Sequence, residues 1–166
     1  MSGTRRAHRL ERGRRLSGRD LRCGRVGVAG CGRQSLRRRR HFPTPPRSVG
    51  FSSAGDALVA SGAFRIAAWD LARPPFDGER GGALETGRPG LAAVVEIATL
   101  PGRKLVAAAY ANGRIVIAAL GAHDELVLQA AGPEPCALVA SPDGRSLAAA
   151  AGDHVSLLSL PDALFK

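Results

Sequence analysis

Aromatic residues make up only 4% of this 166-residue chain, one Trp, one Tyr and five Phe. A core built on stacked rings is therefore excluded, and small aliphatic side chains must fill the interior. Cysteine is scarce too: Cys23, Cys31 and Cys136 are an odd set with no C-x-x-C pair. Neither a disulfide framework nor a zinc module fits that spacing, and reduced thiols in a cytoplasmic protein are the expectation. No apolar run approaches the ~18–20 residues of a membrane span, so no membrane association is expected. A secretory leader is not expected either, because the basic start runs into more arginine and not into an apolar stretch.

Acidic residues are nearly missing from the first 47 positions, where 15 Arg stand against Glu11 and Asp20, a net charge of +13. From Ser48 onward 9 basic residues face 12 acidic ones, a net of −3. The chain is thus a basic segment followed by a slightly acidic domain. Residues 1–46 show neither a 3.6 nor a 2-residue apolar period and bury too little to offset chain ordering, so disorder is expected there. The run Arg37, Arg38, Arg39, Arg40 offers phosphate contacts for nucleic acid or a nuclear address. An organellar leader is a further reading, with Glu11 and Asp20 against it. Specific RNA recognition adds aromatic stacking platforms, and none precedes Phe42, so nucleic-acid association through this segment is the secondary reading. Dense Arg, Gly and Ser is also what a GC-rich gene yields from a misplaced start. The stretch "GRVGVAGCG" reads G-x-x-G-x-G from Gly27 to Gly32, not the dinucleotide fingerprint, and no helix pattern follows it.

Beyond Ser48 the sequence repeats itself. "VGFSSAGDALVASGAFRIAAWDL" (Val49–Leu71) aligns without a gap on "LVASPDGRSLAAAAGDHVSLLSL" (Leu138–Leu160) at an offset of 89. "IATLPGRKLVAAAYANGRIVIAAL" (Ile97–Leu120) lies between them at a period of 40–49 residues. Such self-similarity with only strand-like pieces points to propeller blades. Each repeat reads as a short strand, a tight turn ("SSAGD", "LPGRK", "SPDGR"), a second strand, a hairpin and a third strand. Glycine is expected to supply the unusual turn angles, and Asn112-Gly113 is the clearest hairpin signal. The second strands are Ala-rich, which favours helix, yet each is short and bounded by turn chemistry, so strand is expected. "ELVLQAAG" (Glu125–Gly132) supplies a fourth strand for the middle repeat.

"FSSAGDALVASGAFRIAAWDL" and "SPDGRSLAAAAGDHVSLLSL" resemble the WD40 repeat family in its degenerate bacterial form. Trp69 and Asp70 stand at the family's Trp-Asp, closing a third strand. The resemblance covers Arg47 to about Leu160 and implies an all-β fold, a partial β-propeller of about three WD40-like blades spanning 47–87, 90–132 and 134–166. The family's buried polar network departs here. Ser61 and Trp69 remain in the first repeat, with Ala63 near the Asp position. The middle repeat has Ala108, Asn112 and Ala118; the last keeps Asp153 beside Ala150 and Leu158. Apolar packing must then hold the blades together. Closed propellers use ~4–8 blades. The expectation is therefore the C-terminal part of a larger propeller, or a short chain that closes with copies of itself. Exposed flanks and strand edges make self-association expected in isolation.

Chemistry has little to stand on. Asp153, His154 and Ser156 lie close in sequence, but triads converge from separated elements. The acids are scattered, with no paired general acid and base and no calcium loop. Cys136 is expected as a buried, inert thiol on an inner strand. No catalytic, cofactor-binding or metal-binding residue is assigned, and no cofactor. The resemblance implies a binding rim at the hairpin tips, carrying Phe64 and Arg65, then Tyr110, Asn112 and Arg114, then Asp153 and His154. Aromatic and Arg residues are enriched in binding hot spots. The resulting expectation is a non-catalytic protein–protein interaction scaffold of unidentified partner.

Overall fold

The computed structural model describes residues 28–29, 35–36, 42–72 and 82–165. Two dipeptide strands, β1 (Val28–Ala29) and β2 (Ser35–Leu36), pair antiparallel. Arg37–Arg40, and with them the nucleic-acid reading, lie outside the described residues.

Three antiparallel sheets follow in chain order. The first holds β3 (Val49–Ser52), β4 (Ala57–Ala60), β5 (Ile66–Asp70) and β6 (Ala83–Thr86). The second holds β7 (Val94–Thr99), β8 (Leu105–Tyr110), β9 (Ile115–Ala119) and β10 (Glu125–Gln129). The third holds β11 (Ala137–Ala140), β12 (Ser146–Ala151) and β13 (His154–Ser159), trailed by a 3-10 turn over Asp162–Phe165. In each sheet the strands lie in sequence order, a meander of neighbours. The innermost strands β3, β7 and β11 run beside one another. Strand β6 was not legible in the sequence, since "ALET" is only a four-residue run.

The Ala-rich runs are extended, as expected: "LVAAAY" is β8 and "SLAAAA" is β12. Tertiary packing overrides helix propensity here. Ala107, Ala108 and Ala109 are each fully buried between sheets where larger side chains would collide. The turns also behave as read, with one exchange of roles. Gly102 and Gly144 take φ of 67° and 66°, but in the first turn it is Asp56 that goes left-handed, at φ 43°. Gly55 is needed there for space instead, because a Cβ would come within 2.4 Å of Leu120 Cδ1. In the third turn Ser141 Oγ donates to Asp143 Oδ1 at 2.5 Å, and Arg145 N donates to the same oxygen at 3.0 Å. Both hold the Asp143 carboxyl below its ordinary range, the Ser141 bond foremost.

Alternation along the strands divides the core into layers. Val59, Ile66 and Ala68 of the first sheet meet Val94, Val106, Ala108 and Val116 of the second. The second sheet's other face, with Ala107, Ile115 and Ile117, meets Leu138, Leu147 and Ala149 of the third. Hydroxyls staple the first two sheets: Ile97 N donates to Ser48 Oγ at 2.9 Å, and Thr99 Oγ1 donates to the Phe51 carbonyl at 3.1 Å.

Residues 42–46, grouped above with the Arg-rich segment, pack on the first sheet. Phe42 meets Trp69 edge-on with ring centroids 6.4 Å apart, and Thr44 N donates to the Gly62 carbonyl at 3.1 Å. The first aromatic of the chain thus supplies an apolar contact to the first sheet. Cys136 corrects a second expectation: it is exposed, in the lead-in just before β11, and its Sγ donates to the Ala150 carbonyl at 3.4 Å. Among the described residues the third sheet packs against the second sheet only.

Candidate binding rim

The tips between second and third strands are tied to the segments that lead into the next sheet. At the first tip Gly90 N donates to the Phe64 carbonyl and Val94 N to the Ala63 carbonyl, both at 2.8 Å. At the second, Gly132 N donates to the Asn112 carbonyl at 3.1 Å. Gly113 has φ 79°, and a Cβ there would collide with the Gly132 backbone at 2.2–2.4 Å. Tips and lead-ins therefore interleave along one edge of the molecule. Arg47, at the head of the first sheet, reaches Glu134 at 2.6 Å and Glu96 at 3.7 Å, bridging all three sheets near their inner strands.

Of the seven sequence-assigned rim residues, the edge exposes some and buries one. Phe64 is 46% exposed; Asn112, Asp153 and His154 are also exposed. Tyr110 is not on the surface. It is 2% exposed, with its hydroxyl unpartnered among the described residues and the Arg114 guanidinium 5.8 Å from its ring centroid. Burial pushes its phenol up to about 12, the Glu125 carboxylate adding to the shift and Arg114 opposing it. Tyr110 is the last residue of β8, and its ring packs in the core shared by the first and second sheets, so it serves the core and not the rim.

The offsets of 89 and 40 place Arg65, Arg114 and His154 at one structural position, the start of the third strand. Each is paired with an acid. Arg65 meets Glu85 at 3.2 Å, Arg114 meets Glu125 at 2.5 Å, and His154 Nδ1 meets Asp153 Oδ1. Only the second pair is substantially enclosed, with the Glu125 side chain 4% exposed. The Glu85 carboxyl lies below its ordinary range, chiefly through its hydrogen bond from Arg65 and then that charge. Exposed pairs of this kind contribute little to stability and leave their outer atoms free for a partner.

Sequence reasoning missed Leu91. It is fully exposed in the lead-in to β7, next to Gly90, which is bonded to Phe64. Two apolar side chains thus stand on adjacent, hydrogen-bonded segments of the edge. The only signal in the sequence is a lone leucine inside the Gly/Pro stretch "GRPGLAA". Chemistry beyond binding is sparse. Among the described residues no group of three His, Cys, Asp or Glu is placed to hold a metal ion. Asp153 and His154 form an exposed pair at a hairpin, with Ser156 two residues further along the same strand.

No family model matches the sequence, and no curated protein does. Solved structures do. The chain is similar to the β-propeller domain of Cps50 (Swd1) from Myceliophteria thermophila, with a TM-score of 0.63 and 16% identity, over 83% of this chain and 48% of that one. The chain is an arc of a β-propeller. It is also similar to a chain of the mitotic checkpoint complex, with a TM-score of 0.54 and 17% identity, over 75% of this chain and 39% of that one. At these identities the likeness concerns the fold alone, and the arc spans less than half the length of either propeller chain. Its three sheets are propeller blades, and Trp69-Asp70 closes the third strand of the first of them, as the repeat pattern implied.

Proposed function

We propose that this arc is a non-catalytic protein-interaction scaffold whose partner docks on the rim of hairpin tips and lead-ins. The observation that carries the reading is the Phe64–Leu91 pair. Phe64 is 46% exposed and Leu91 wholly so, on segments joined by the Gly90–Phe64 bond. Exposed apolar side chains on hydrogen-bonded segments, with Arg65 next to Phe64 in the chain, match the apolar centre and polar surround of protein interfaces. One of the solved structures this chain is similar to is a chain of the mitotic checkpoint complex. The arc contributes three blades to a propeller completed by further blades.

A photoreactive side chain at Leu91, irradiated in cells of the source organism, tests the reading. The expected result is a defined protein adduct that falls at least about tenfold with Phe64→Asp or Arg65→Glu. An adduct set unchanged by both substitutions, or the absence of any adduct, overturns it.

A further inference from the structure

The three blades are unequal in width. The first and second sheets have four strands each and the third has three, so among the described residues β13 pairs with β12 alone. The segment that follows β13, up to Phe165, does not fold back along that edge. Leu160 N donates to the Arg145 carbonyl, and the turn over Asp162–Phe165 leads towards the second blade, where Arg103 Nη1 donates to the Leu164 carbonyl at 3.4 Å. Leu164 packs on the core between the second and third sheets.

The edge of β13 is suited to pairing. It runs six residues, His154–Ser159, without a proline, a lysine or an acid, and its register against β12 is unbroken. The outer strands of the other blades are blunted instead. Strand β6 has only four residues, Glu85 among them, and β10 carries a register shift between Val127 and Gln129. Short strands, charges and bulges are what proteins place on edges that must stay unpaired. An antiparallel strand offers alternate backbone groups to either side. Leu160 N bonds on the β12 side, at Arg145, so the amides of Val155, Leu157 and Ser159 point outward. The first blade shows such an amide in use: Asp70, the equivalent of Ser159 at the offset of 89, donates from N to the Gly82 carbonyl at 2.6 Å.

Register also says what the edge lacks. Across the first sheet one row of side chains reads Gly50, Val59, Ala68 and Leu84. Across the second the same row reads Ala98, Ala107, Ile117 and Leu126. Across the third it reads Val139, Ala148 and Leu157 and stops, with Val139 and Leu157 exposed. Both complete rows end on a leucine, and each of these leucines has a glutamate beside it in the chain, Glu85 and Glu125.

We infer that the outer edge of β13 binds an extended segment of another protein as a fourth, antiparallel strand, a leucine of that segment standing opposite Leu157 with a glutamate next to it. The occupant follows from the two rows already complete in this molecule. A second copy does not supply it, because its own leucine-bearing strands β6 and β10 are already paired within their sheets. Main-chain bonds would give such an added strand its affinity, and the leucine on the apolar flank its specificity.

Amide hydrogen exchange of the full chain, followed by NMR, tests it with the synthetic peptide HDELVLQ, the sequence of His123–Gln129, as the probe. Without peptide, the amides of Val155, Leu157 and Ser159 should exchange at least about tenfold faster than those of Ser156 and Leu158, which face β12. Saturating peptide removes that difference. A peptide with aspartate in place of the first leucine binds at least about tenfold more weakly. Leu157→Pro removes one outward amide and leaves the β12 ladder whole, so it abolishes binding at unchanged far-UV circular dichroism. Should that variant unfold, the aspartate peptide decides the matter on the unaltered chain. Phe64→Asp leaves peptide binding unchanged, so failure here and failure of the rim reading are separable. Outward amides already protected without peptide, protection that arises elsewhere, equal binding of the two peptides, or a dimer of the chain that the peptide does not open each overturns the inference.

Discussion

The second and third blades are built from the same strand chemistry yet differ in what surrounds them. Ile115 and Ile117 on β9 are 1% and 2% exposed, while Val155 and Leu157, their equivalents on β13 at an offset of 40, are 79% and 73% exposed. The second strands tell the same story: β8 is buried along nearly its whole length, and β12 only at alternate residues. Between these two blades burial is therefore set by what covers the sheet and not by the hydrophobicity of the strand; in the first blade, where Phe42 and Trp69 cover the outer face, β4 is buried along its whole length. An apolar β13 carries the imprint of a neighbour that the three blades themselves do not supply.

The sharpest way to break this comparison is a charge. Ile117→Asp buries an unpaired carboxylate between two sheets and is expected to cost more than about 4 kcal/mol, enough to abolish cooperative unfolding. Leu157→Asp, at the equivalent position with water on one side, is expected to stay within about 1 kcal/mol when measured in dilute, monomeric protein. Urea titration followed by circular dichroism separates them. If both collapse alike, burial is not what distinguishes the two blades. A gentler pair sharpens the result. Ile115→Ala should lose about 2–4 kcal/mol through transfer and cavity terms, and Val155→Ala about 0.5 kcal/mol or less.

Legibility in the sequence followed the same divide. The gapless offset of 89 gave the strand register of the first and third blades, because turn glycines and alternating apolar residues are local signals. The Ala-rich strands were readable from their short length between turns, against their helix propensity. Strand β6 was not, since its four residues carry no alternation that a loop would lack. Tyr110 was misplaced because sequence marks a tip residue but not which way its ring turns. Leu91 was missed for the opposite reason: an exposed leucine on a rim reads in sequence like any loop residue. Cys136 looked buried because the strand it precedes is apolar, whereas it lies in the exposed lead-in ahead of that strand.

Polar anchoring differs between blades as well, and its effects are smaller. In the first blade the wholly buried Ser61 Oγ accepts from both Arg47 N and Ser48 N at 2.9 Å. The equivalent residue in the third blade is Ala150, and there Cys136 N donates to the Ala150 carbonyl instead. Ser61→Ala strands two backbone donors and should cost about 1–3 kcal/mol, read as a drop in the urea midpoint at unchanged slope. A loss below about 0.5 kcal/mol would mean that the first blade's lead-in can adopt the third blade's arrangement.

The smallest expected effect lies in the third blade's turn. Ser141 Oγ and Arg145 N both donate to the Asp143 carboxylate, so its folded pKa lies below the ordinary 3.8. The unfolded chain binds the proton more readily, and by linkage the carboxylate's contribution is present above pH ~4 and fades as pH falls through the folded pKa. Asp143→Asn removes the titrating group while keeping an oxygen that accepts from Arg145 N. The variant should therefore show a shallower loss of stability below pH 4 than the parent, with near-equal stability at pH 7 apart from the charge-assisted share of the bonds. Thermal melts between pH 2.5 and 5 measure it. Parallel slopes would mean that the Ser141–Asp143 staple is no tighter in the fold than in the unfolded turn, and that the turn is held by Gly144 and the strands alone.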